Sequence, residues 1–209
     1  MSKIARFWDR HAVGYSKRKV TNEDAYQKKL EQARAYLTPD AEVFEFGCGT
    51  GTTALNLADD AGHILAIDAS QKMIEIARGK ARDQHKANVT FAQDEIESFV
   101  GLGKQFDVVM AHSILHLLKD RQTVLKQVHE LLKPNGVLIS STMCMKGIWP
   151  WLRIIVPLGH FFGLLPLVRF FRPDELLADI QQAGFEIEVS WQPTLKEGLF
   201  VIARKKAPD

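Results

Sequence analysis

Apolar and polar positions along this chain fall into two alternating rhythms. Strand-length apolar runs recur at Glu42-Val43-Phe44-Glu45-Phe46, His63-Ile64-Leu65-Ala66-Ile67, Val89-Thr90-Phe91-Ala92, Phe106-Asp107-Val108-Val109-Met110 and Val137-Leu138-Ile139-Ser140. Between them lie stretches of helical period. Thr52 to Ala58 is one, and Met73, Ile74, Ala77 and Ala81 form an apolar face behind a capping Ser70. Val124, Leu125, Val128, Leu131 and Leu132 form another, before Pro134-Asn135-Gly136 turns the chain into the fifth strand. Residues 1 to about 37 also read as helical, with Leu30, Ala33 and Leu37 in register, until Thr38-Pro39-Asp40 breaks the run. After the fifth strand the pattern lapses for about thirty residues. It resumes with a helix opened by Pro173 and ended near Gly184, then two closing strands, Phe185 to Trp191 and Leu199 to Ala203.

Strands alternating with helices predict an α/β fold, a doubly wound and mainly parallel sheet of seven strands covered on both faces. In such sheets ligands bind at the carboxyl ends of the strands. A chain of 209 residues suits one core, so the expectation is a single domain over 1–209. Residues 1–38 form its N-terminal helical cap, and 144–172 an apolar helical insert in the position of a lid.

The chemistry begins where the first strand ends, at Glu45-Phe46-Gly47-Cys48-Gly49-Thr50-Gly51. Glycines between a strand and a helix permit a tight turn and a close approach of backbone to ligand. A dinucleotide site prefers G-x-G-x-x-G, whereas here the third glycine comes one residue early and Thr occupies position 52. Glu45 points the same way, because an acid repels a phosphate and attracts a sulfonium or ammonium group.

With these residues in this order, the chain resembles the class I S-adenosylmethionine (SAM) methyltransferases, whose signature is E/D-x-G-x-G-x-G. The implied fold is the Rossmann-like sheet already expected, and the implied cofactor is SAM, leaving as S-adenosylhomocysteine (SAH). The resemblance makes Glu45, Gly47, Gly49 and Gly51 the cofactor loop. It implies that Asp68, ending the second strand, accepts both ribose hydroxyls and that Asp94, after the third, accepts from the adenine amino group. Met73 and Ile96 are then candidates for packing on the adenine, and the Ala111 carbonyl for the methionine ammonium. Phe7-Trp8-Asp9-Arg10-His11-Ala12-Val13-Gly14-Tyr15 looks like the W-x(n)-A-x-x-Y preface of small-molecule members, with Tyr15 closing over the methionine end. Asp94 also fits a helix cap, Tyr15 ordinary packing, and Cys48, without a basic partner, a small packing residue.

Methyl transfer from a sulfonium needs alignment and exclusion of water more than acid–base help. For a hydroxyl or amine acceptor a base assists, and His112 and His116 follow the fourth strand, on one face if a short helix holds them. No third ligand or acid cluster accompanies them, so no metal is expected. The stretch 147–171 is rich in Leu, Ile, Phe and Trp and suits a lid over a hydrophobic small-molecule acceptor, such as a quinone, phenol or lipid. It also leaves open a homodimer or peripheral membrane contact. Arg153, Pro157, His160, Pro166 and Arg169 argue against a membrane span.

Composition narrows the rest. Apolar residues at 46% and charged residues at 25% describe an ordinary globular chain, and a net charge of +2 without a basic run gives no footprint for nucleic acid. Cys48 and Cys144 are too few and too far apart for a disulfide framework, and no export signal opens the chain, which fits the cytoplasm. Two other functions share the motifs: a SAM- or SAH-binding protein without transfer, and, disfavoured by the loop, a nicotinamide-dependent oxidoreductase.

Overall fold

The computed structural model describes residues 2–146, 152–161 and 165–206. Seven strands form one sheet: β1 Glu42–Phe46, β2 His63–Asp68, β3 Val89–Gln93, β4 Phe106–His112, β5 Leu132–Met143, β6 Phe185–Trp191 and β7 Gly198–Lys205. Their spatial order is β3-β2-β1-β4-β5-β7-β6. β7 pairs antiparallel with both β5 and β6, and the other pairings are parallel. The sequence order reverses between β1 and β4, which creates the crevice where doubly wound sheets bind ligands.

Seven α-helices accompany the sheet among the described residues: α1 Lys3–Ser16, α2 Glu23–Arg34, α3 Thr52–Leu57, α4 Gln71–Asp83, α5 Arg121–Leu131, α6 Leu152–Phe161 and α7 Pro173–Gln182. Side chains alternate across each strand, so two apolar layers form. Phe44, Phe46, Val109 and Leu138 pack toward α5 and α7, while Val43, Val108, Met110, Val137 and Ile139 pack toward α2, α3 and α4. Ser70 caps α4 as expected, accepting from the Met73 N–H at 3.2 Å.

Several expectations shift in detail. The N-terminal cap consists of two helices, and Asn22 starts the second by accepting from the Ala25 N–H. Leu132 belongs to β5 and not to the preceding helix, since its backbone is already extended. Lys133 to Gly136 bulge out between the paired Leu132 and Val137, with Asn135 at φ 64°, so the turn lies inside the β4–β5 ladder. β4 extends to His112, two residues beyond its expected end.

The apolar insert is helical where described, with Val156 buried and Ile155 and Leu158 exposed by 50% and 58%. Residues 147–151 and 162–164, including Trp149 and Trp151, lie outside the described residues. The far end of the insert is docked: the Arg169 N–H donates to the His116 carbonyl at 2.8 Å, and Phe171 is buried under the Arg121 guanidinium. Among the described residues, no helix is long and apolar enough to cross a membrane.

Candidate active site

β1 ends in the glycine loop because Gly47, Gly49 and Gly51 all take left-handed backbone, at φ 65°, 54° and 74°. Their tasks differ. A Cβ on Gly51 would lie 2.6 Å from the Phe91 ring and 2.9 Å from Ala77, so this glycine lets the loop pack on β3 and α4. A Cβ on Gly49 would meet only Tyr15, at 3.5 Å, and one on Gly47 would meet Ile114. Gly47 and Gly49 border an open cleft, and Gly51 does not.

That cleft is lined by Tyr15, Asp68, Met73, Asp94, Ile96 and His112 among others. The structure thus gathers residues from α1, α4 and the ends of three strands. Asp68 Oδ2 accepts from the Gly49 N–H at 2.9 Å and Oδ1 from the Ser70 N–H at 2.8 Å, one donor on each oxygen. Each oxygen keeps a second lone pair. Burial pushes the Asp68 carboxyl upward despite those bonds, and Asp9 adds to the rise. Asp94 Oδ1 accepts from the Glu95 N–H at 2.8 Å. Met73 and Ile96 are buried at the wall, exposed by 2% and 5%.

A second cleft opens on the α2 side of the loop and meets the first at Tyr15, Gly47, His112 and Ser113. Strand alternation explains its floor. Glu45 shares the face of Val43, His112 that of Met110, and Ser141 that of Ile139, so three adjacent strand ends present polar groups toward α2. Glu45 is buried and its Oε2 has no hydrogen-bond partner. Desolvation raises its pKa to about 8, with only the Ala54 backbone N–H opposing. His112 is half-buried with Nε2 sealed from solvent and unpartnered, and its pKa falls to about 4, first through desolvation and then through the charge on Lys29.

Two expected residues stand apart. Ala111 is fully buried, in the layer of Phe44 and Leu138, and borders neither cleft, whereas His112 and Ser113 border both. His116 lines neither cleft. Ser113 takes φ 56° and donates to the Ser141 carbonyl at 2.7 Å, so the segment after β4 is a turn and not a helix bringing both histidines to one face. None of the described residues of 144–171 borders either cleft. Among the described residues no cluster could hold a metal ion.

Tyr15 roofs the junction. It stands edge-on to Trp8 at 6.0 Å and beneath the Arg18 guanidinium, and burial pushes its hydroxyl pKa up. α1 is held there by Asp9, whose Oδ1 accepts from Ser70 Oγ at 2.6 Å and the Lys72 N–H at 3.1 Å. Trp8, Tyr26, Lys29, Ser113 and Ser141 also border the clefts and carry no family motif of their own, apart from Trp8. Lys29 had one signal: it occupies the stripe Tyr26, Lys29, Leu30, Ala33 on α2, where an apolar residue is the norm.

The residues fit SAM on three observations. The Asp68 oxygens retain acceptor capacity for a diol, Glu45 Oε2 is a buried acceptor lacking a partner that a cation would satisfy, and Gly47 and Gly49 open the backbone between them.

Residues 37–183 match the family described as a methyltransferase domain. Among curated proteins the chain is similar to the ubiquinone biosynthesis O-methyltransferase of Coxiella burnetii, 28% identical over 150 residues, which is 69% of this chain and 63% of that protein. The chain thus spans less than two thirds of that relative's length. It is 25% identical to the enzyme of the same name from Acinetobacter baumannii over 190 residues, covering 88% of this chain and 78% of that one. A solved putative methyltransferase from Bacillus halodurans shares the fold with a TM-score of 0.72 at 17% identity, over 86% of this chain and 98% of the other. The cyclase SpnF shares it with a TM-score of 0.68 at 20% identity, over 86% and 81%.

Proposed function

The chain belongs to the methyltransferase-domain family, and on that premise we propose that it is a class I SAM-dependent methyltransferase acting on a small, partly apolar acceptor. One observation carries the reading: a cleft with free carboxylate acceptors joins a second cleft with unpartnered polar groups across the β1–β4 crevice. The first pocket suits the adenosyl part of a donor, and its methionine end reaches through the junction toward Glu45 in the second. In this reading Asp68 accepts the ribose hydroxyls and Asp94 the adenine amino group, while Met73 and Ile96 pack on the ring. Glu45 balances the methionine ammonium beside Gly47, Gly49 and the end of β4, and Tyr15 excludes water from above.

Bound SAM supplies a methyl group already activated by its sulfonium, so the protein's task is alignment in a dry site. His112 borders the junction of the two clefts, and in this reading its ring stands beside the acceptor hydroxyl. With a pKa of about 4 it remains neutral, accepting a hydrogen bond rather than retaining a proton. A phenolic or quinol acceptor agrees with the names of the Coxiella and Acinetobacter relatives. Two free, buried cysteines suit the cytoplasm.

Calorimetric binding of SAM and SAH, followed by transfer of labelled methyl to a panel of phenols, quinols and lipids, tests the proposal. Folded protein that binds neither compound refutes it. Binding with no transfer to any member of the panel favours a binding protein instead.

A further inference from the structure

The formal charge of +2 conceals an uneven distribution. Six of the 27 lysines and arginines but only one of the 25 acids fall within residues 1–20, so that segment carries +5 and the rest of the chain −3. The structure orders these charges. Lys3, Arg6, Arg10, Val13 and Lys17 follow one another at helical spacing, which sets them in one row along α1 and its C-cap, on the side away from the buried Ala5 and Ala12. All four cations are exposed, and Val13 stands among them exposed by 58%. The one acid of the helix, Asp9, is turned inward, accepting from Ser70 Oγ and the Lys72 N–H.

No acid balances this row. Among the described residues none of the four cations forms an ion pair. Arg6 and Arg10, one turn apart, repel each other, and Lys3 lies in the first turn, where the helix dipole disfavours a cation. The cofactor site does not account for them either. α1 turns Ile4, Trp8, Tyr15 and Ser16 toward the clefts, whereas Lys3, Arg6, Arg10 and Lys17 line neither. Arg18 and Lys19 do border the second cleft and are not counted in the row. The outer ridge of a helix offers no groove to track a nucleic-acid backbone. Cations around an exposed valine, along about 20 Å of helix, fit a broad surface that is anionic and partly apolar.

We infer that the outer face of α1 is an electrostatic docking surface for a membrane carrying anionic lipid. The inference goes beyond the methyltransferase reading and does not need it. On that reading, docking sets the roof of the cofactor cleft against the phase in which a partly apolar acceptor dissolves. The attraction is to headgroups and does not involve deep insertion, because the small apolar side of α1 is already packed on the protein. It is therefore screened by salt.

The test is co-sedimentation of the full chain with phosphatidylcholine vesicles containing about one third phosphatidylglycerol. The wild type binds these vesicles, leaves pure phosphatidylcholine in solution, and is released as salt rises to about 0.5 M. Lys3→Gln/Arg6→Gln/Arg10→Gln loses about fivefold in affinity per cation, about 100-fold in all. Arg82→Gln/Lys104→Gln/Lys126→Gln removes the same charge from exposed positions off the row and loses less than about fivefold. Thermal melts accompany both. If the first variant melts early, Arg6→Gln/Arg10→Gln, which relieves a repulsion, gives the same reading at about 25-fold. Four results overturn the inference: no binding to anionic vesicles, equal binding to neutral ones, equal losses in the two triple variants, or tighter binding to a mixed-sequence DNA duplex at the same phosphate concentration. SAH titrations run alongside separate the two readings. Protein that docks on vesicles but binds no SAH keeps the surface and loses the methyltransferase reading, and protein that binds SAH without docking does the reverse.

Discussion

Glu45→Gln removes an ionisation from the buried end of β1 while keeping the shape of the side chain. The wild-type carboxyl titrates at about 8 when folded, against 4.5 for an ordinary glutamate. Below pH 4.5 both states hold the proton, and above 8 both have lost it. Between those limits the folded chain binds a proton that the unfolded chain does not, so stability falls as pH rises. A displacement of about 3.5 units at 1.36 kcal/mol each amounts to about 5 kcal/mol across the window, an upper figure for a site that can relax. For a chain of this size that is about 10 °C in Tm. Thermal melts of Glu45→Gln and wild type in parallel from pH 5 to 8.5 isolate the effect, since other titrating groups cancel in the difference. The variant gains on the wild type as pH rises, with most of the gain between pH 5 and 8. SAH should reverse the sign. Its ammonium stabilises the ionised carboxylate, so near pH 7 the wild type releases up to about one proton per SAH bound, and the variant releases less. A Tm gap that stays flat across the window, together with proton release unchanged in Glu45→Gln, would refute the placement of an uncompensated acid beneath the cofactor loop.

Asp68→Ala deletes both proposed ribose acceptors and weakens SAH binding by about 100-fold or more in calorimetry, on about 1.5–3 kcal/mol for each charge-assisted bond; a loss below about threefold counts against the assignment. The loop glycines should separate by readout. Gly51→Ala forces a methyl group against Phe91 and lowers Tm sharply, whereas Gly49→Ala meets only the edge of Tyr15 and affects SAH affinity more than Tm. On the acid side, His112 folds with a pKa near 4 instead of 6.5, so the unfolded chain binds the extra proton and stability is lost as pH falls from about 6.5 to about 4. His112→Asn should flatten that limb by about 2–3 kcal/mol, and a pH profile identical to the wild type's speaks against a buried neutral imidazole.

The proposed donor side of this site is assembled from local sequence. Gly47, Gly49 and Glu45 lie within one short loop, Asp68 ends β2 and Asp94 follows β3, strands whose apolar runs are plain in the sequence. Less was legible where a role depends on distant partners. The spacing of Gly51 matched a ligand loop, yet its Cβ-free position is required by Phe91 and Ala77, which only the folded sheet brings near. His116 matched a helical spacing that the left-handed Ser113 prevents. Lys29 and Ser141, 112 residues apart, meet through the packing of α2 on β5. Alternation from Val137 and Ile139 would have put Ser141 on the correct face, but nothing local distinguishes Lys29 from Lys28 except the apolar stripe it interrupts.

Asp9 gives the arrangement a mechanical consequence. The carboxylate that ties α1 to Ser70 and Lys72 seats the roof on the residues immediately after Asp68, the proposed ribose grip. Latch and grip therefore share one short piece of chain. A ligand that firms Asp68 also firms the anchorage of α1, and one that strains Ser70 loosens both. In the proposed reading, retention of cofactor and shielding of the methyl group from water become a single cooperative event, with the start of α4 as its fulcrum.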